Sequence, residues 1–399
     1  MNASIRHGLA GLSKLLLWKM GQMVDAVPRK RHARPEHVLI ARIDVIGDFV
    51  LFAPSLPYIR NKFPDARLSL LVDRATLDLA KDCPFVDDIL CVDVRRYRRN
   101  GVYRAWFLSR VATWGVDLFL NPAYSRELVC DELALWSGAR HRIAWDANLS
   151  NMIPKEKTSG DRIYDELVRD SGSSDPHESE RNIAFIRHLG IEVPAYPLKL
   201  WQSPASRRFA ESVWSRHQLE KYFVVSLLPG SMHSFKRWGE VKFRSLVERI
   251  SSVRTDAHFL ILGTKADRGF LSGNGGPEVK TRIHDLCGET KLDELGPIFE
   301  RCSLVVGNDT GPIHIAAAAG VPTICIVGGG HFGRFLPYSG PMTTSGPAPE
   351  AVHFPMECFG CNWRCIYTVP DGDPYPCIVS ISVDDVMKKV TPWLRSPQA

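Results

Sequence analysis

Apolar residues fall along this chain in short unbroken runs, separated by stretches with helical spacing, and that alternation sets the first expectation. Residues 37–43 (HVLIARI) show no polar alternation, which is how a parallel strand covered on both faces reads. The run ends in Val45-Ile46-Gly47-Asp48, after which residues 49–63 carry apolar positions at helical spacing and stop before Pro64. Residues 68–72 (LSLLV) give another buried strand. Further strands are expected at 89–94 and 116–120 with an aromatic-rich helical stretch between them, so the first half alternates β and α as a doubly wound sheet does. Residues 146–180 are polar and weakly patterned, and read as a mobile or acceptor-facing segment.

Beyond Pro194, Pro197 and Pro204 the pattern restarts. Residues 222–228 (YFVVSLL) form a strand running into Pro229-Gly230-Ser231, followed by a helix at 241–251 and a strand at 258–262 that opens into the loop 263–267. A strand at 304–306, the loop Gly307-Asn308-Asp309-Thr310-Gly311, a helix to about 319 and a strand at 323–327 complete the unit. The chain therefore divides into a basic amphipathic extension (1–36), two Rossmann-like doubly wound domains (37–200 and 201–382) facing each other across a cleft, and a C-terminal helix and tail (383–399). A length of 399 residues fits two cores better than one.

Composition narrows the function. With 45% apolar and 24% charged residues the chain reads as globular, and a net charge of +6 with plentiful acids gives a nucleic-acid role little support. The positive charge is clustered in Arg29, Lys30, Arg31 and Arg34 and again in Arg95, Arg96, Arg98 and Arg99, which read as solvated faces or anion-facing patches. No stretch approaches ~20 consecutive apolar residues and the start lacks a signal peptide's pattern, so the expectation is a cytoplasmic protein. Residues 5–27 have the spacing of an amphipathic helix, suited to lying on an anionic membrane or to docking on the protein's own surface.

Several residues stand where chemistry is expected. Asp309-Thr310-Gly311 opens a helix after a buried strand, where free N–H groups and the helix dipole suit a diphosphate; equally, Asp309 or Thr310 could cap that helix. Asp48 follows the first strand, at the end of the sheet where open α/β folds bind ligands, and suits a general base or a helix cap. Lys236 follows a Gly-containing turn and can balance diphosphate charge. Asp267 suits a carboxylate bonded to ribose hydroxyls, while His314 and Arg42 could face a ligand or serve structure. No G-x-G-x-x-G follows the first strand, which disfavours a dinucleotide-dependent dehydrogenase. Cys358-x2-Cys361-x3-Cys365-x11-Cys377 lies close to zinc-site spacing without matching it, leaving a structural metal or a packed thiol cluster.

Four ordered segments resemble glycosyltransferase family 9, the heptosyltransferases: Ile46-Gly47-Asp48; Pro229-Gly230-Ser231 with Lys236-Arg237-Trp238; Gly263 with Asp267; and Asp309-Thr310-Gly311-Pro312-Ile313-His314 before an Ala-rich helix. The resemblance implies a GT-B fold and an inverting, metal-independent transfer of heptose from ADP-heptose to lipopolysaccharide core or a related lipid-linked acceptor, beside the inner membrane. It makes 37–200 the acceptor domain and 201–382 the donor domain. It implies Asp48 as base, Lys236 as a phosphate contact, and Gly47, Gly230, Ser231, Asp267, Asp309, Thr310, Gly311 and His314 as donor-side residues. Met232 stands where some relatives have a second hydroxyl, and Asp267 where Glu is usual. Acceptor anions are expected at Arg42, Arg126 and Arg142 and at the patch 95–99, Tyr103 and Arg104, which read equally well as surface charge. No cofactor is expected in catalysis; the cysteines are candidates for structural zinc, or for iron as in related autotransporter heptosyltransferases. A family 9 enzyme with another donor or acceptor, and a nucleotide-sugar epimerase, are the alternatives.

Overall fold

A computed structural model of the chain describes residues 19–23, 34–169, 176–271 and 277–395. Most of the amphipathic helix expected at 5–27 and the basic run at 29–31 lie outside the described residues. A helical turn at 19–23 is described. Gly21 is buried there, and a Cβ on it would stand 2.7 Å from Trp136 Nε1, so this turn rests on the chain's own surface.

The described residues form two compact units: 19–23, 34–45, 55–169 and 181–193 in the first, and 46–54, 176–180 and 194–395 in the second. The linear boundary expected at 200/201 is thus corrected on two counts. The last segment of the second unit starts at Pro194, and residues 46–54 and 176–180 also cluster with it.

The first unit is built on six parallel strands: β1 (His37–Arg42), β2 (Arg67–Asp73), β3 (Asp88–Val92), β4 (Leu118–Asn121), β5 (His141–Trp145) and β6 (Glu166–Val168), in the order β3-β2-β1-β4-β5-β6. In the second unit β7 (Tyr196–Leu198) precedes the main sheet and pairs with β13 (Met342–Thr344). That main sheet comprises β8 (Phe223–Leu228), β9 (Ala257–Ile261), β10 (Ile283–Asp285), β11 (Leu304–Asn308), β12 (Thr323–Ile326) and β14 (Glu350–Val352), in the order β10-β9-β8-β11-β12-β14. Each sheet repeats the doubly wound order, with its switch point between the first and fourth strands, β1/β4 and β8/β11. Every residue of β1, β8 and β11 is buried, which is why these strands show no polar alternation. Separate cores lie on each sheet, one around Leu39, Leu71, Phe107, Phe119 and Leu133, the other around Val225, Trp238, Phe243, Phe259 and Ile326.

Two sequence expectations need correction. Residues 49–63 are not one helix. Helix Ile46–Phe52 gives way to a 3-10 turn at Ala53–Ser55 and a second helix Leu56–Lys62, because Pro54 and Pro57 each remove a backbone donor from the ladder. The polar stretch 146–180 holds regular structure, the helix Pro154–Asp161 and strand β6, and the helix Glu178–His188 begins in it. Among the described residues no helix is long and apolar enough to cross a membrane.

Candidate active site

At the switch point of the second sheet, β8 and β11 are neighbours, and the loops leaving their C-terminal ends come together. Asn308, the buried last residue of β11, ties the two loops: its Nδ2 donates to the carbonyl of Pro229 at 2.6 Å and its Oδ1 accepts from the Trp238 N–H at 3.1 Å. Between these points the chain makes a 3-10 turn, Ser234–Lys236. Lys236 Nζ is brought to 3.1 Å from Asp309 Oδ2, with both side chains largely buried. The same ammonium lies 4.2 Å from the centroid of the Trp363 ring.

Helix Gly311–Ala319 begins immediately after Asp309. Thr310 occupies its N-cap in an extended conformation, but its side chain makes no cap hydrogen bond; Oγ1 donates instead to the Asn308 carbonyl at 3.3 Å. The capping alternative for Thr310 is therefore not realised. What stands beside Lys236 is the positive end of a nine-residue helix.

A second helix start meets this one. A Cβ on Gly311 would fall 2.5 Å from Ile46 Cβ, and one on Gly47 would fall 3.0 Å from His314 Cδ2, so both glycines are required for helix Ile46–Phe52 to approach helix Gly311–Ala319. Asp48 lies in the first turn of the former, mostly buried, and is not its N-cap. His314 is packed against Gly47 and shares a 2.7 Å hydrogen bond between Nδ1 and the Tyr338 hydroxyl. Burial pushes His314 down to about 4; Asp309 opposes the shift and Lys236 adds to it, so the ring is neutral at pH 7. The geometry makes His314 a brace between the two helix starts.

Asp267 closes a third loop. Its Oδ2 accepts from the N–H and hydroxyl of Thr264 at 2.9 and 2.7 Å, and Oδ1 stands 3.9 Å from Arg237. Gly230 and Gly263 give it room, since a Cβ on either would approach the carboxylate to 2.8–3.0 Å. Asp267 thus closes its own loop through Oδ2 and leaves Oδ1 facing Arg237. The Ser231 carbonyl accepts from Arg237 Nη2 at 3.0 Å, which fixes the backbone of the Gly230-Ser231 turn.

The cysteine-rich segment packs over Gly328-Gly329-Gly330, the turn after β12. Gly360 and Asn362 donate to the carbonyls of Gly329 and Gly330, and Cβ atoms on the three glycines would strike Trp363 or Phe359 at 2.2–2.8 Å. Trp363 Nε1 also donates to His331 Nδ1 at 3.2 Å. Asn362 and Trp363 both have left-handed backbones, φ 49° and 60°, an arrangement costly for side-chain-bearing residues. Cys358, Cys361, Cys365 and Cys377 are free thiols. Burial pushes Cys377 up and the other three thiols push the same way, yet among the described residues no three His, Cys, Asp or Glu side chains converge to hold a metal.

The acceptor arginines are corrected in the first unit. Arg42 is fully buried, paired with Asp44 at 2.8 Å and donating to the Pro122 carbonyl. Arg126, also fully buried, is held by Asp131 at 2.8 Å, Asp161 at 2.5 Å and the Trp145 carbonyl. Arg142 is buried and donates to the Ile163 carbonyl. Guanidiniums withdrawn from water and bonded in this way brace a fold; none is presented to an acceptor. Sequence reasoning missed Asn308 and Trp363. The first carried a signal, a polar residue ending an apolar strand; the second lies far along the chain from the lysine it covers.

Residues 159–359, just over half of the chain, match the family described as Glycosyltransferase family 9 (heptosyltransferase). Lipopolysaccharide heptosyltransferase 3 of Escherichia coli (strain K12) is 22% identical over 305 residues, 71% of this chain and 79% of that protein. A family 9 glycosyl transferase structure from Veillonella parvula DSM 2008 superposes with a TM-score of 0.67 at 18% identity, over 90% of this chain and 97% of that one. The E. coli ADP-heptose lps heptosyltransferase II does so with 0.63 at 15% identity, over 90% and 98%. The structural likeness bears on the fold, two Rossmann-like domains of the GT-B class, and the family match on the chemistry: the chain is a glycosyltransferase and belongs to glycosyltransferase family 9.

Proposed function

We propose that this enzyme transfers a heptose from ADP-heptose to a lipopolysaccharide core or related lipid-linked acceptor, with inversion at the anomeric carbon, working on the cytoplasmic face of the inner membrane. The observation that carries the reading is the pairing of Lys236 with Asp309 beside the start of helix Gly311–Ala319, with the Asp48 helix abutting through Gly47 and Gly311. Relatives named as lipopolysaccharide heptosyltransferases, and a structural neighbour named for ADP-heptose, support the choice of donor and acceptor class.

The acceptor hydroxyl oxygen bonds to the anomeric carbon as the bond from that carbon to the diphosphate oxygen breaks. The electron pair leaves on the nucleoside diphosphate, and the hydroxyl proton passes to the Asp48 carboxylate as general base. Charge growing on the diphosphate is met by Lys236 and by the backbone N–H groups at Thr310-Gly311. Asp309 and Trp363 hold Lys236 in place before the donor arrives, so little reorganisation is needed at the moment of transfer. No step is routed through a metal, since these groups supply the positive charge.

Calorimetric titration with ADP, UDP and GDP, followed by transfer from ADP-heptose to truncated lipopolysaccharide, tests the reading. ADP is expected to bind tightest, and Asp48→Ala to keep ADP affinity while losing transfer ~10²- to 10⁴-fold. A preference for another nucleotide overturns the donor, no nucleotide binding overturns the diphosphate seat, and full transfer by Asp48→Ala overturns the base.

A further inference from the structure

One surface of the first unit is left unexplained by the transfer chemistry. Residues 94–116 contain six arginines and neither aspartate nor glutamate. They fold as helix Val94–Arg99 followed by helix Gly101–Ala112, each started by a side-chain cap, Asp93 onto the Arg96 N–H and Asn100 onto the Tyr103 N–H. Tyr97, Phe107, Leu108 and Val111 point into the core of the unit, which fixes the face turned outward.

That outward face combines two features. Val102 is 83% exposed and Trp106 52% exposed, and with exposed Arg110 they line one side of the second helix at a spacing of four residues. Arg95, Arg96 and Arg99 are exposed on the preceding helix. Arg98 is offset by Glu127 at 2.5 Å and Arg104 by Glu132, but Arg95 and Arg99 have no carboxylate partner among the described residues. Arg96 stacks on Tyr103 and Arg110 on Trp106, with guanidinium carbons 4.6 and 5.8 Å from the ring centroids, so those charges are held at the surface by aromatic rings.

We propose that this face, centred on Val102 and Trp106 and rimmed by Arg95, Arg99 and Arg110, docks the enzyme on an anionic lipid bilayer. Exposed tryptophan and valine, with Arg110 on the same side of their helix and further exposed arginines on the helix before it, are complementary to a negatively charged interface. A soluble anion would use the arginines and gain nothing from the exposed apolar pair. The inference deepens the lipid-linked acceptor of the proposed function and rests on that reading for its purpose, while its test needs no turnover.

The experiment is co-sedimentation of the full chain with vesicles of phosphatidylcholine alone and of phosphatidylcholine with phosphatidylglycerol, at low and high salt. Binding to the anionic vesicles, weakened by salt, is expected for the wild type. Arg95→Glu with Arg99→Glu should lose it ~10-fold or more, and Trp106→Ala should weaken it at high salt as well as low, with melting midpoint and ADP affinity unchanged in both. If the double charge reversal does not fold, Arg95→Gln with Arg99→Gln carries the same comparison. Equal binding to neutral and anionic vesicles, wild-type vesicle binding in the arginine variants, or inorganic phosphate binding at the arginines without any vesicle binding would each overturn the docking face. A chain that binds vesicles yet shows no nucleotide affinity would retain this face and sink the transferase reading instead.

Discussion

Lys236 is gripped from two sides, by the Asp309 carboxylate and by the face of Trp363, and the second grip makes a testable difference. Removing the ring should leave the ion pair intact but free the ammonium to swing. Trp363→Leu is therefore expected to raise the donor KM about 3- to 30-fold, the range of one cation–π contact, with a smaller effect on kcat; Trp363→Phe should recover part of it. An unchanged donor KM in the leucine variant would mean that Asp309 alone positions the lysine. The two strands whose following loops carry Lys236 and Asp309 were legible in the sequence as unbroken apolar runs. Trp363 was not, since nothing local in a cysteine-rich loop announces that it folds back over the turn Gly328-Gly329-Gly330. Arg42 misled for the opposite reason. Its place just before the Asp48 loop suggested a ligand contact, whereas here it is buried against Asp44 and the Pro122 carbonyl.

At the scale of elements, the meeting of helix Ile46–Phe52 with helix Gly311–Ala319 decides where Asp48 sits relative to Lys236, Asp309 and the proposed diphosphate seat. The family resemblance put both glycines on the donor side, and the structure adds why a side chain fails there: neighbouring atoms already occupy the space. Gly311→Ala places a methyl 2.5 Å from Ile46 Cβ, backbone-anchored on both sides, so one helix start must back away. The expected cost is about 1–3 kcal/mol of stability, read as a lower denaturation midpoint, together with a loss of transfer larger than the loss of ADP affinity. A variant with wild-type stability and transfer would show that the contact is slack. The helix expected across 49–63 was misread because its apolar spacing survives a break that Pro54 and Pro57 impose on the hydrogen bonds.

For the molecule as a whole, both sheets have the same strand order, and that doubly wound plan was readable from the alternation of apolar runs and helical spacing. The three-residue strands β6, β10 and β14 were not, because each depends on a neighbour already in place more than on its own pattern. One such strand carries a property of the entire second unit. His284 on β10 shares a 3.0 Å hydrogen bond with His258 on β9, and its ring lies 4.6 Å from that of His217 at the end of helix Pro204–His217. Burial pushes His284 down to about 4, helped by repulsion from His217 and His258, which are themselves lowered chiefly by burial. In the unfolded chain these rings take up protons near 6.5. As pH falls below that value the unfolded state binds more protons than the folded one, so stability is lost down to about 4 and is complete above 6.5. Asp131 in the first unit, raised to about 6 by burial, works in the opposite direction, so the net slope mixes terms. The comparison of wild type with His284→Phe isolates the histidine term: the drop in melting temperature from pH 7 to pH 5 should be about 3–6 °C smaller in the variant. Phenylalanine keeps the stacked ring and removes the proton site, so parallel drops in the two proteins would show that the cluster does not set the acid limit of the fold.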